Sequence, residues 1–125
     1  MAAPRIAIVN HDPVFLRLID RLLTLEDFDV VVCPSGTLAH EVIVKAQPQL
    51  VMLDTWLEDR DAGWMLLQTL QLDERVSGIP VLICTSDREE FDTRVHEGGP
   101  SNLRCIQKPF KPETLVSTIR EMLTP

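Results

Sequence analysis

Four short stretches of this chain carry side chains suited to phosphoryl chemistry: Asn10-His11-Asp12, the lone acid Asp54, the hydroxyl pair Thr85-Ser86, and Lys108. The first three come after apolar runs, namely Ile6-Ala7-Ile8-Val9, Leu50-Val51-Met52-Leu53 and Val81-Leu82-Ile83-Cys84, and Lys108 after a brief candidate strand, Leu103 to Ile106. A carboxylate can attack phosphorus and form an acyl phosphate, while a lysine, a hydroxyl and metal-capable groups shield the charge. Phosphorylation would add about −1.5 to −2 charge, drawing the lysine and the hydroxyl toward the new oxygens and shifting their loops. Singly, each residue has a plainer use: an acid at a strand end caps, a lysine before proline is solvated, and hydroxyls often end strands. Their convergence on one place is what favours chemistry, and that convergence has to come from the fold.

The apolar runs are short, rich in β-branched residues and bounded by polar or turn residues, which predicts buried strands. A second such run is Val30-Val31-Val32, ended by Pro34-Ser35-Gly36. Helices are predicted between the strands. Asp12 can cap the first and Pro13 suits its first turn, with Phe15, Leu18, Ile19, Leu22 and Leu23 on one face. Leu38, Val42, Ile43 and Ala46 give the second an apolar side that ends at Pro48, and Trp64, Leu67 and Leu70 mark a third after Gly63. Asp87 to Val95 predicts a short, mobile helix, and Pro112 opens a last one carrying Leu115, Val116, Ile119, Met122 and Leu123. Five strands alternating with helices require a parallel sheet covered on both faces, a doubly wound α/β domain. Ligands of such sheets sit outside the carboxyl ends of the strands, where the four stretches lie.

The 125 residues, 45% hydrophobic and 25% charged, suit one domain spanning residues 1–125. Such a chain buries roughly two thirds of its unfolded surface and needs neither disulfide nor structural metal. Cys33, Cys84 and Cys105 are widely spaced, as expected of reduced thiols. A net charge of −7 disfavours direct nucleic-acid binding. No membrane-length apolar run and no secretory leader is present, which predicts a cytoplasmic protein. With no effector segment after Leu123, output is expected to pass through another protein.

On these residues the chain resembles the receiver domain of two-component response regulators over residues 5 to 123. The matching landmarks are VMLDTW around Asp54, IPVLICTS ending beyond Thr85, the triplet Lys108-Pro109-Phe110, and Gly63-Trp64 after the acid. The resemblance implies a flavodoxin-like strand order of 2-1-3-4-5. It further implies that Asp54 accepts a phosphoryl group from a histidine kinase or phosphotransfer protein, that Thr85 is the switch hydroxyl, and that Lys108 contacts the phosphate. The metal site implied by the family would draw on Asp54, Asn10, His11, Asp12 and the backbone carbonyl of Trp56, for Mg2+ or for Mn2+ in its place.

Departures from the family pattern are concentrated at the same edge. Asn10 and His11 stand where the family has an acidic pair, so magnesium, which prefers hard oxygen ligands, is expected to bind poorly. Asp12, one place further on, is both a cap and a substitute ligand. His11 itself reads as a surface or capping residue. Cys105 stands where a switch aromatic is expected, Ser86 where alanine is common, and Glu58 where proline is usual, with Ala62 as an insertion. Two functions follow: a stand-alone receiver phosphorylated on Asp54 that signals to a protein partner, or a degenerate receiver that binds partners without phosphorylation. An enzyme is disfavoured. An aspartyl phosphatase would want a second acid where Trp56 stands, and a flavin carrier a hydroxyl-rich loop where Asn10-His11-Asp12-Pro13 stands. Trp56 and Trp64 read as packing or partner-surface residues, and Arg88-Glu89-Glu90 as a solvated face.

Overall fold

The computed structural model describes residues 2–95 and 102–124. Strands β1 (Arg5–Val9), β2 (Asp29–Cys33), β3 (Leu50–Asp54), β4 (Val81–Thr85) and β5 (Leu103–Gln107) alternate with helices α1 (Pro13–Leu25), α2 (Gly36–Ala46), α3 (Ala62–Leu72), α4 (Arg88–Arg94) and α5 (Pro112–Leu123). All pairings are parallel. The order is β2-β1-β3-β4-β5, as the resemblance implied. Register is set by the apolar runs: Ala7 lies opposite Val31 and Val51, and Leu53 opposite Ile83.

Because successive strand residues point to opposite faces, the sheet sorts its side chains into two cores. Ile6, Ile8, Leu50, Met52, Leu82 and Ile106 pack with Leu16, Ile19 and Leu23 of α1 and with Leu115, Val116 and Ile119 of α5. On the other face Ala7, Val9, Val51, Leu53, Val81 and Ile83 pack with Ala39 and Ile43 of α2, Trp64, Leu67 and Leu70 of α3, and Phe91 of α4. Each of the larger side chains stabilises the fold by about 1.5–3 kcal/mol through burial.

The predicted apolar faces of α3 and α5 are buried or half-buried, and so are those of α1 and α2 except for one leucine each. Leu18 and Leu38 are 63% and 60% exposed, whereas Leu16 and Ala39 are buried. A helix lying on a sheet buries a stripe narrower than its apolar face, and the leucines at the flank of that stripe are left outside. The start of α1 is capped as the sequence predicts, and that of α4 is capped as well. Asp12 accepts from the amides of Val14 and Phe15, and Asp87 from that of Glu90. In α2 the Ser35 side chain makes no capping bond; Glu58, reaching over from the β3–α3 loop, accepts from the Gly36 amide instead. Cys33 and Cys84 are buried, Cys105 partly so, and all three are free thiols. Burial pushes the Cys33 thiol up to about 11 and raises those of Cys84 and Cys105, which keeps them unreactive. Among the described residues no helix is long and apolar enough to cross a membrane.

One polar link joins α2 to the turn after α3. His40 Nε2 lies 2.7 Å from Asp73 Oδ2, and the Arg75 guanidinium donates to both oxygens of Asp73 at 3.0 and 2.7 Å. Arg75 first, then His40, holds the Asp73 carboxyl well below the usual carboxylate range. With its folded value depressed, Asp73 contributes stability that is present above the unfolded value of about 3.9 and is lost as pH falls below it. Asp73→Asn should therefore flatten the acid limb of a plot of Tm against pH below about pH 4. Limbs of equal slope in the two proteins would contradict this.

Candidate functional site

Period-two alternation carries the strand rows past the end of the sheet. Two residues beyond Ile8, Met52 and Ile106, in rows that pack on α1 and α5, stand Asn10, Asp54 and Lys108. Thr85 continues the row of Val81 and Ile83, which faces the other core. Alternation thus puts an amide, an acid and an ammonium on one side of the sheet edge, with the hydroxyl on β4, the strand between those of Asp54 and Lys108.

The side chains complete this arrangement. Asn10 Nδ2 donates to Asp54 Oδ2 at 2.8 Å, and Lys108 Nζ forms an ion pair with the same oxygen. The Trp56 amide donates to Asp54 Oδ1 at 2.9 Å. Asn10 Oδ1 accepts from the Asp12 amide at 2.8 Å. Lys108 is steered from below by Phe15, whose ring centre lies 5.4 Å from Nζ and which meets Phe110 edge-on at 6.3 Å. The Lys108 amide donates to the Thr85 carbonyl at 2.9 Å, fastening the β5–α5 loop, with its cis Lys108-Pro109 bond, to the end of β4.

Asn10, Asp54 and Thr85, exposed by only 3%, 6% and 4%, are the buried polar or charged residues of the described chain. All three line one cavity of about 390 Å3. Burying a polar group costs about 1–3 kcal/mol unless it is hydrogen-bonded, and every buried side-chain polar atom described here has a partner. The fold thus gathers its buried polar groups at one place, on the carboxyl edge. His11, Asp12, Trp56, Ser86 and Lys108 line the same cavity, so the residues named for the acceptor, switch, phosphate-contact and metal roles all border it. Asp54, Asn10 and Lys108 touch one another directly. The Thr85 hydroxyl instead accepts from the Asp87 amide at 3.0 Å, and the Asp12 carboxylate caps α1. The Trp56 ring is 58% exposed, and Trp64 is buried in the core.

Sequence reasoning missed four polar lining residues, Thr55, Arg60 from the β3–α3 loop, Asp87, and Glu90 from α4, the last expected on a solvated face. Glu90 accepts from Trp64 Nε1 at 3.0 Å and from Arg94 Nε at 3.1 Å, and Arg94 reaches Asp61 of the loop at 2.9 Å. The loop is held by buried Leu57 and by Glu58 at the start of α2. No local pattern in a polar loop marks Arg60; only the path of the loop brings it to the cavity.

The donor set does not fit magnesium. That ion wants near-octahedral oxygen ligands, usually with at least one or two carboxylates. Here Asp54 Oδ2 already takes two donors and Oδ1 a third, the Asn10 oxygen faces the Asp12 amide, and imidazole stands at position 11. Among the described residues no three His, Cys, Asp or Glu side chains are grouped so as to hold a metal.

Comparison with known proteins places this geometry. The profile of the response regulator receiver domain matches residues 6–120. The DNA-binding dual master transcriptional regulator RpaA of Synechocystis sp. is 32% identical over 121 residues, 96% of this chain and 49% of that protein. The DNA-binding response regulator MtrA of Mycolicibacterium smegmatis is 31% identical over 95% of this chain and 50% of its own. The chain therefore spans about half the length of these curated relatives. Among solved structures, the BeF3-activated N-terminal receiver domain of Klebsiella pneumoniae RstA superposes with a TM-score of 0.79 at 34% identity, covering 97% of this chain and 99% of that one. The receiver domain of the sensor histidine kinase PA1611 from Pseudomonas aeruginosa, with a magnesium ion coordinated in its active-site cleft, shares the fold at a TM-score of 0.85 and 19% identity over 99% and 100% of the two chains. With the profile covering nearly the whole chain and the strand order in agreement, this protein belongs to the response regulator receiver domain family, a family of signalling modules.

Proposed function

We propose that Asp54 accepts a phosphoryl group from a histidine kinase or phosphotransfer protein and that the altered domain signals to a protein partner. The observation that carries this reading is the nearly buried Asp54 carboxylate, ion-paired to Lys108, in a cavity also lined by the Thr85 hydroxyl. The carboxylate is the nucleophile, the ammonium neutralises the equatorial oxygens, and Thr85 can turn from the Asp87 amide toward the new charge. Direct contact with nucleic acid by this domain is opposed by its net charge of −7.

A second reading, a partner-binding receiver that works without phosphorylation, is favoured by Asn10 and His11 at the acidic-pair positions and by Cys105 where a mobile ring is expected. Incubation with acetyl phosphate followed by intact-mass analysis separates the two. The first reading predicts one labile phosphate on the wild type and none on Asp54→Ala. If the wild type gains none in MgCl2, MnCl2 or EDTA, the first reading is lost and the second replaces it.

A further inference from the structure

We propose that this receiver takes up its phosphoryl group without a divalent cation, using Lys108 and Arg60 as the positive charges of the site. The inference rests on Asp54 being the acceptor. It begins with the misfit between the acceptor's surroundings and magnesium: a lysine and two N–H donors already surround Asp54, and the cavity's other aspartates, Asp12 and Asp87, each cap a helix through one oxygen.

Transfer from acetyl phosphate forms a bond between an Asp54 oxygen and phosphorus as the bond from phosphorus to the acetate oxygen breaks. Acetate leaves with that electron pair, and neither a proton nor a redox equivalent is needed. What the step does need is positive charge near the three equatorial oxygens. Among the cavity's acids, Asp12 caps α1, Asp87 caps α4 and Glu90 is held by Trp64 and Arg94. Among its cations, Lys108 is on Asp54, and Arg60 has no side-chain hydrogen bond or ion pair with the described residues. The neighbouring acid Asp61 is taken by Arg94, which leaves the Arg60 guanidinium available to an incoming anion. Guanidinium is suited to this, being permanently charged and matched to two phosphate oxygens at once. The β3–α3 loop, pinned at Leu57 and Glu58, carries Arg60 to the cavity.

The test measures the rate of phosphate addition from acetyl phosphate by intact mass, in excess EDTA and in MgCl2 or MnCl2, for the wild type, Arg60→Gln and Arg60→Lys. The expected result is the same wild-type rate in all three buffers, an Arg60→Gln rate in EDTA lower by about a hundredfold, and a rate in Arg60→Lys close to that of the wild type. Addition in MgCl2 or MnCl2 but not in EDTA would overturn the inference and leave Asp54 as the acceptor. Equal rates for wild type and Arg60→Gln in EDTA would remove Arg60 from the site. Addition in no buffer would overturn the acceptor reading itself.

Discussion

Gly63→Ala is expected to cost about 3 kcal/mol of stability, the upper end for overpacking, which corresponds to roughly 10 °C in Tm for a domain of this size. A Cβ at Gly63 would overlap the Asp54 carbonyl oxygen and both the Cα and the carbonyl oxygen of Thr55. These are backbone atoms at the end of β3 and cannot rotate away as side chains do. The glycine is required by close approach, because its amide donates to the Thr55 carbonyl at 3.0 Å, seating the first turn of α3 directly on the strand end. An alanine must push α3 outward or displace Asp54, the proposed acceptor. Phosphate uptake should therefore fall together with stability. Gly78 provides the control, since nothing lies within 4 Å of a Cβ built there. Gly78→Ala should stay within about 0.5 kcal/mol of the wild type. Equal Tm values for Gly63→Ala and Gly78→Ala would contradict this account of the strand end.

Lys108→Ala should cost about 2 kcal/mol at neutral pH and slow phosphate uptake by about a hundredfold or more. The variant leaves Asp54, 6% exposed, with the Asn10 and Trp56 donors but no counter-charge. The stability figure is set below that for breaking a fully buried pair, because the Lys108 side chain is 31% exposed and water screens part of the interaction. The two effects have different origins, and a cycle distinguishes them. Adding Asp54→Asn to Lys108→Ala should restore most of the lost stability, since a neutral amide needs no cation, and should leave uptake absent. A double variant as unstable as Lys108→Ala alone would show that Lys108 acts through packing against Phe15 and not through charge.

Much of the architecture could be read from the chain. The runs Ile6–Val9, Leu50–Leu53 and Val81–Cys84 are apolar throughout because both faces of the sheet are covered, and that pattern identifies parallel strands. It also places Asn10, Asp54 and Thr85 at the carboxyl edge before any coordinates are known. Strand order was not contained in the pattern and came only with the family resemblance. Helix faces were legible to within a residue or two: Ile19, Leu23 and Ile43 were expected inside and are, but spacing alone does not say which flank of a leucine stripe the sheet covers, and Leu18 and Leu38 fall outside. Least legible were polar contacts between elements far apart in the chain. Glu58 capping a helix 22 residues earlier in the chain and Glu90 receiving the Trp64 indole depend on loop paths that no local periodicity encodes.

The central claim is that the Asp54 carboxylate is the atom group that takes the phosphoryl. Borohydride reduction of the protein after acetyl phosphate treatment, followed by peptide mass mapping, tests it most directly, because an acyl phosphate is reduced to the alcohol while free carboxylates are not. The account predicts homoserine at position 54 and at no other aspartate. Homoserine at Asp12 or Asp87, or none at position 54 in a protein that has gained phosphate, would contradict it.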